Sequence, residues 1–227
     1  MNSFEQLLFN YSCEPLYVIN AFNYKKYTPL DLAESNKELL DFDITSAEEF
    51  ENYINSLLDK KQASVAFGGY NETRKIYQRS NHFFETDYKK ERNIHLGMDF
   101  WCSANTPVLV PLEGKVHSFK NNTAFGDYGP TIILEHVIEG VIFYTLYGHL
   151  SLESISNLTI GQEFKKGEEL AYLGDASVNG DYAPHLHFQI IKDLEGSFGD
   201  YKGVTSLNEQ KRDLNNCPDP NLLLKVY

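Results

Sequence analysis

Long apolar runs are missing from this 227-residue chain. A helix needs about 20 consecutive apolar residues to cross a bilayer, so no transmembrane helix is expected. The first residues, Met1-Asn2-Ser3-Phe4-Glu5-Gln6-Leu7-Leu8, offer neither a basic n-region nor a long apolar h-region. They do not read as a secretory signal peptide, so the chain is cytoplasmic by sequence while its localisation stays open. Cysteine is scarce: Cys13, Cys102 and Cys217 are odd in number, widely spaced and form no Cys-x-x-Cys pair. Disulfide staples and a thiolate metal site are therefore disfavoured, and Cys102 is expected to be a small buried hydrophobe. Positive charge is short as well: 20 Lys and Arg face 32 Asp and Glu, for a formal net charge of −12. No basic cluster supplies the footprint that nucleic acid requires. The same sign would slow encounter with an anionic cell wall. No repeat, low-complexity tract or Pro/Gly linker is present.

What is present divides by period. A hydrophobic fraction of 42% is ample for a buried core. In Ser46-Ala47-Glu48-Glu49 the serine can cap a helix while the glutamate reaches back, and Phe50, Tyr53, Ile54, Leu57 and Leu58 follow at helical spacing. That predicts a helix over residues 47–60 with one buried face, and a similar Ser3/Gln6 box predicts a shorter one over 4–10. From about residue 64 the period shortens to that of strands. Ile132 to His136 and Val141 to Tyr147 read as a hairpin about a Glu139-Gly140 turn, its second strand ending at His149.

Three separated fragments carry the chemistry: His95-Leu96-Gly97-Met98-Asp99, Tyr147-Gly148-His149 and His185-Leu186-His187. A hydrolytic zinc ion needs three protein ligands and an open position for water. His95, Asp99 and His187 can be those three, leaving His149 and His185 beside the water. An imidazole titrating near pH ~6.5 suits a group that takes a proton and returns it. On a strand His185 and His187 share a face. His95 and Asp99 are too far apart on a straight strand, about 13 Å, so a kink is expected, with Gly97 permitting it.

From about Gly68 to Lys192 the chain resembles the lysostaphin-type (LytM-like) zinc metalloendopeptidases, which cut peptide bonds in bacterial peptidoglycan. The resemblance is carried by the His95 to Asp99 segment, Thr106 to Val116, Tyr147-Gly148-His149-Leu150-Ser151, Ile160 to Gly167, and Pro184 to Ile190. It implies that Zn2+ is bound by His95, Asp99 and His187, that His149 and His185 are catalytic, and that the substrate is a peptide or a peptidoglycan-derived fragment. The fold expected is mainly β (α+β overall): an antiparallel β-sheet or barrel-sandwich hybrid core with a small N-terminal helical segment. The implied division is residues 1–65 packed on the core, 66–196 as the peptidase domain and 197–227 as a wrapping tail that closes a sheet edge. One departure is Val178-Asn179-Gly180-Asp181-Tyr182-Ala183, where family members that cut glycine bridges carry a short run of small residues. A bulky Tyr182 beside the groove would alter what fits, so that specificity is not carried over.

Asn71 could line the groove, occupy the open metal position in a latent form, or simply make a turn. Arg74 and Arg79 could hold a substrate carboxylate or serve as structural ion-pair partners. His82, His117 and His136 match no position of the family. Two other functions remain: an inactive binding or regulatory module of the same fold, and a carrier domain, since Gly161 to Leu170 also resembles the turn of barrel-sandwich hybrid carriers. Oligomeric state is not legible.

Overall fold

The computed structural model describes residues 1–20, 26–79, 87 and 89–227, without the side chains of Gln78 and Arg79. His82 and the Arg79 side chain, both considered above, lie outside the described residues. In chain order the elements are α1 (Ser3–Tyr11), β1 (Tyr27–Pro29), α2 (Ala47–Lys61), β2 (Val65–Gly68), β3 (Arg92–His95), β4 (Met98–Trp101), β5 (Pro107–Leu109) and β6 (Gly114–Asn122). There follow β7 (Gly129–Ile138), β8 (Val141–Gly148), α3 (Glu153–Ser156), β9 (Glu163–Phe164), β10 (Glu169–Tyr172), β11 (His185–Ile191), β12 (Val204–Ser206), α4 (Gln210–Asn216) and α5 (Asn221–Leu224). Eight strands form one sheet in the order β1-β2-β4-β11-β8-β7-β6-β9, and β10-β5 and β12-β3 form two small ribbons. All pairs are antiparallel except β1 with β2. The architecture is mainly β, as the sequence pattern implies.

Period-two alternation sorts the central strands into a core face and a site face. Leu186, Phe188 and Ile190 of β11 and Met98 and Phe100 of β4 enter the main apolar cluster. Their neighbours His185, His187, Gln189, Asp99 and Trp101 take the other face, yet they too are buried. Both termini contribute to the main cluster, through Leu8, Leu16, Val18 and Ile19 at one end and Leu223 and Leu224 at the other. Phe50 and Ile54 of α2 join Ala66, Trp101, Tyr182 and Val204 in a second cluster beneath the site face.

The predicted hairpin forms with Ile138 opposite Val141. Glu139 (φ 50°) and Gly140 (φ 80°) both adopt the left-handed conformation that a tight two-residue loop requires. The helix caps differ in detail from expectation. Ser46 does cap α2, accepting from Glu49 N at 3.3 Å, but the Glu49 carboxylate reaches past it to accept from Asp43 N at 2.8 Å. In α1 the reciprocal box is Asn2 with Glu5, while Gln6 bonds Asn10 one turn on at 3.1 Å. Asn2 is extended (φ −79°, ψ 177°), its Oδ1 accepts from Glu5 N at 2.9 Å, and Asn2 N donates to the Glu5 carboxylate at 2.7 Å.

The expected kinked strand is instead two strands in two sheets. β3 pairs with β12 and β4 pairs with β2 and β11, with Leu96-Gly97 between them. Gly97 is required for space rather than for an unusual backbone angle. A Cβ there would stand 2.6 Å from Cε1 of His187 and 2.8 Å from the Phe188 carbonyl oxygen.

Candidate functional site

Sheet order explains why residues so distant in sequence meet. β11 lies between β4 and β8, with His187 opposite Asp99 on one side and Gly148 on the other. Opposed residues of an antiparallel pair project to one face, so Asp99 and His187 converge, and His149 follows directly at the end of β8. His95 comes from the neighbouring ribbon, across the break at Leu96-Gly97.

His95, Asp99 and His187 form a group whose ligand-capable atoms lie within 4.8 Å of one another. Nε2 of His95 is 2.8 Å from Nδ1 of His187. Oδ1 of Asp99 is 3.3 Å from the first nitrogen and 3.2 Å from the second. The outer nitrogens fix the tautomers. Nδ1 of His95 faces the Gly69 carbonyl at 2.9 Å, and a carbonyl only accepts, so this nitrogen carries the proton. Nε2 of His187 faces Oε1 of Gln189 at 2.8 Å. That amide is oriented because its nitrogen donates to the Lys202 carbonyl at 3.1 Å. The three inward atoms are thus lone pairs pointed at one another in a buried space, an arrangement that a cation resolves.

Electrostatics agree with a neutral His95 imidazole and an ionised Asp99 carboxylate. Burial, then the Arg74 cation, pushes the His95 pKa down to about 3. Burial alone would raise the Asp99 carboxyl, but His95 and Arg74 together hold it well below the usual carboxylate range.

His149 and His185 stand beside this group with ring centroids 4.2 Å apart. Each donates through Nδ1 to a backbone carbonyl, His149 to Asn179 at 2.7 Å and His185 to Ala183 at 2.8 Å. Their Nε2 atoms therefore carry the free lone pairs. Burial and the neighbouring His185 hold His149 well below its usual pKa, and burial lowers His185 to about 4. His149 has φ 64°, a conformation that costs a non-glycine residue of order 1–3 kcal/mol and gathers at functional sites. Backbone bonds to Tyr128 and Gly174 hold it there.

A cavity of about 480 Å³ opens onto all five residues, and Arg74, Trp101, Tyr128, Tyr182 and Phe198 also line it. Tyr182 is pinned, its hydroxyl donating to the Gly126 carbonyl at 2.8 Å and its ring standing edge-on to His149 at 5.1 Å. Asn71 is a turn residue (φ 56°) whose amide oxygen accepts from Gln210 at 2.8 Å, so its side chain is engaged away from the ligand group. Arg74 is buried as an ion-pair partner of Asp99 and Glu72. Cys102 is partly buried and burial raises its thiol to about 11. His136 is a core histidine between the Glu113 carbonyl and Thr145, and His117 bonds Ser118.

Gln189 and Tyr128 were not anticipated. Gln189 lies two residues beyond His187, and the same-face rule for strands would have found it. Tyr128, whose hydroxyl is 3.4 Å from Nε2 of His187, comes from a loop that carries no comparable signal.

Residues 93–200 match the sequence profile of Peptidase family M23. An uncharacterized metalloprotease of Haemophilus influenzae is 35% identical over 95 residues, 42% of this chain and 18% of that protein. The match thus spans less than a fifth of that relative. Among solved structures, a zinc-containing peptidase from Vibrio cholerae is 28% identical with a TM-score of 0.36, over 43% of this chain and 27% of that one. The catalytic domain of lysostaphin from Staphylococcus simulans is 26% identical with a TM-score of 0.37, over 53% and 80%.

Proposed function

We propose that this chain, whose residues 93–200 match the profile of Peptidase family M23, is a zinc-dependent endopeptidase acting on peptide bonds of peptidoglycan cross-links or muropeptides. The reading rests above all on the three mutually facing lone pairs of His95, Asp99 and His187. Tetrahedral zinc with bonds of about 2.0–2.1 Å spaces its donors roughly 3.3 Å apart, so this triangle and its nitrogen–oxygen chemistry fit the ion. When bound, zinc would lower the pKa of a water toward about 7 and polarise the scissile carbonyl.

The protein's own groups supply the rest. Nε2 of His149 and of His185 face the cavity as neutral bases, each ring locked by its Nδ1–H bond to a backbone carbonyl. One can take a proton from the attacking water and return it to the leaving amine, while the other holds a hydrogen bond to the developing oxyanion. Gln189 and the Gly69 carbonyl keep the two ligand histidines in the required tautomers. The pinned Tyr182 and the neighbouring Trp101 narrow one wall, which supports a substrate other than a polyglycine bridge.

We extend the proposal to organisation: residues 66–196 carry the chemistry, 1–65 brace one wall through Phe50, and 197–227 close the other side through Lys202 and Val204. No described helix is long and apolar enough to cross a membrane. No feature favours the binding-module or carrier readings. All five polar residues are present, and His185 and His187 are buried rather than presented for transfer to a partner.

The test is metal analysis joined to digestion. Wild-type protein should hold one zinc per chain and cleave purified peptidoglycan or soluble muropeptides, with both properties lost in His187→Ala. Stoichiometric zinc in that variant, or an inactive zinc-loaded wild type, would contradict the reading.

A further inference from the structure

One buried cation on the cavity wall has no part in the mechanism above. Arg74 is 3% exposed and grips two carboxylates, through Nη1 to Oδ2 of Asp99 at 2.6 Å and through Nε to Oε2 of Glu72 at 2.6 Å. Asp99 thus has one oxygen turned to the histidines and the other held from behind. Resting on the metal reading, we propose that Arg74 is a positioning residue that clamps Oδ2 of Asp99, so that the carboxylate offers only Oδ1 to the metal.

The clamp is anchored at its far end. The second oxygen of Glu72 accepts from Leu32 N at 3.0 Å, and the segment around it is stitched to β3. Arg74 N donates to the Asn93 carbonyl at 2.8 Å, and His95 N to the Glu72 carbonyl at 2.9 Å. Arginine and ligand histidine therefore move as one body. Gly69 leaves space for both: at φ 103° it brings bare backbone to where a Cβ would stand 1.8 Å from Nη2 of Arg74 and 3.0 Å from Nδ1 of His95. Nη1 also contacts the Tyr77 hydroxyl at 3.3 Å, and the guanidinium carbon sits 5.6 Å from the Trp101 ring.

The physical purpose follows from carboxylate chemistry. A free carboxylate can engage a cation through both oxygens, which would occupy the position a hydrolytic zinc must leave for water. A rigid guanidinium fork bridging two acids removes that freedom, and a lysine ammonium cannot reproduce the geometry. Glu72 balances the arginine charge, so the clamp adds orientation without adding net positive charge beside the cation. Arg74, Glu72 and Gly69 all precede residue 93, outside the segment that matches the family profile.

Cobalt substitution tests this, because four-coordinate Co2+ absorbs visible light more strongly than five-coordinate Co2+. The wild type, Arg74→Met, Arg74→Lys and Glu72→Gln are loaded with Co2+, their spectra recorded, and their metal affinities measured by competition with a chromogenic chelator. The wild type should show an intense band. Arg74→Met should lose intensity and bind metal about 10-fold or more weakly, Arg74→Lys should recover part of both, and Glu72→Gln should fall between. An Arg74→Met spectrum identical to wild type, whatever its affinity, overturns the clamp. Should Arg74→Met fail to fold, unchanged spectra in both Arg74→Lys and Glu72→Gln overturn it. A wild type that binds no metal overturns the metal reading and the clamp with it; a normal wild type with unchanged variants overturns the clamp alone.

Discussion

Asp99 and His187 are cross-strand partners in the centre of the eight-stranded sheet, with Oδ1 of the first 3.2 Å from Nδ1 of the second. Two of the three candidate ligands are therefore built into strands β4 and β11, whose described residues are all buried, and the third, His95, is a buried residue at the end of β3. Such a site is pre-formed, and substitutions in it should separate metal binding from proton transfer.

Asp99→Ala should lose metal, because the imidazoles of His95 and His187 then face each other without the carboxylate charge that balances a cation. His149→Ala should keep metal and lose turnover by about 10²–10⁴-fold, the range for removing a general acid–base group. Metal content and kcat, measured on the same preparations, check both. Loss of zinc from His149→Ala would move that residue into the ligand set.

Gly97→Ala should weaken metal binding although the backbone tolerates alanine there. The added Cβ would stand 2.6 Å from Cε1 of His187 and must push that ring off its position. The check is metal affinity by chelator competition, with the unfolding midpoint measured alongside. Normal affinity would show that the strand break absorbs the methyl group.

Acid should destabilise the metal-free protein well above the carboxylate range. Burial lowers the folded-state pKa of His185 and His136 to about 4, below the roughly 6.5 of an unfolded histidine. Between these values the unfolded chain binds more protons, so stability is full above pH ~6.5 and falls as pH drops toward ~4. The depressed Asp99 carboxyl acts with the same sign at lower pH. Denaturant midpoints at neutral pH and across this window check the direction; a midpoint that rises on acidification would contradict it.

Phe50→Ala should cost about 3–5 kcal/mol, the range for deleting a buried aromatic side chain. Phe50 is 3% exposed and meets Trp101 edge-on at 6.4 Å. Trp101 is the one tryptophan of the chain and stacks on His185 at 5.7 Å. Its fluorescence should therefore shift as the wall loosens. Unchanged emission together with unchanged stability would mean that α2 does not brace the site.

Much of this was legible in the sequence for identifiable reasons. The His-x-His pair lies on a strand, where period two guarantees a shared face, and the Glu139-Gly140 turn fixes the hairpin that delivers His149. The approach of His95 to Asp99 was foreseen only as a bend. That the chain changes sheets at Gly97 depends on β12, which is more than 100 residues away, and no local pattern reports it. The guanidinium behind Asp99 was visible only as an unresolved choice for Arg74. Its answer lies in the Gly69 backbone and the Leu32 amide, contacts that periodicity does not encode. Helix α1 shows the same limit on a small scale: the Ser3/Gln6 box located the helix, but the box that forms is Asn2 with Glu5, one residue earlier.

The most direct measurement is mass spectrometry of soluble muropeptides incubated with wild-type protein, with chelator-treated protein and with His149→Ala. The account predicts a pair of products whose masses sum to the substrate plus one water, formed by the wild type, abolished by chelator, restored by added zinc and nearly absent with His149→Ala. Products that persist at the same rate in chelator or in His149→Ala would contradict it.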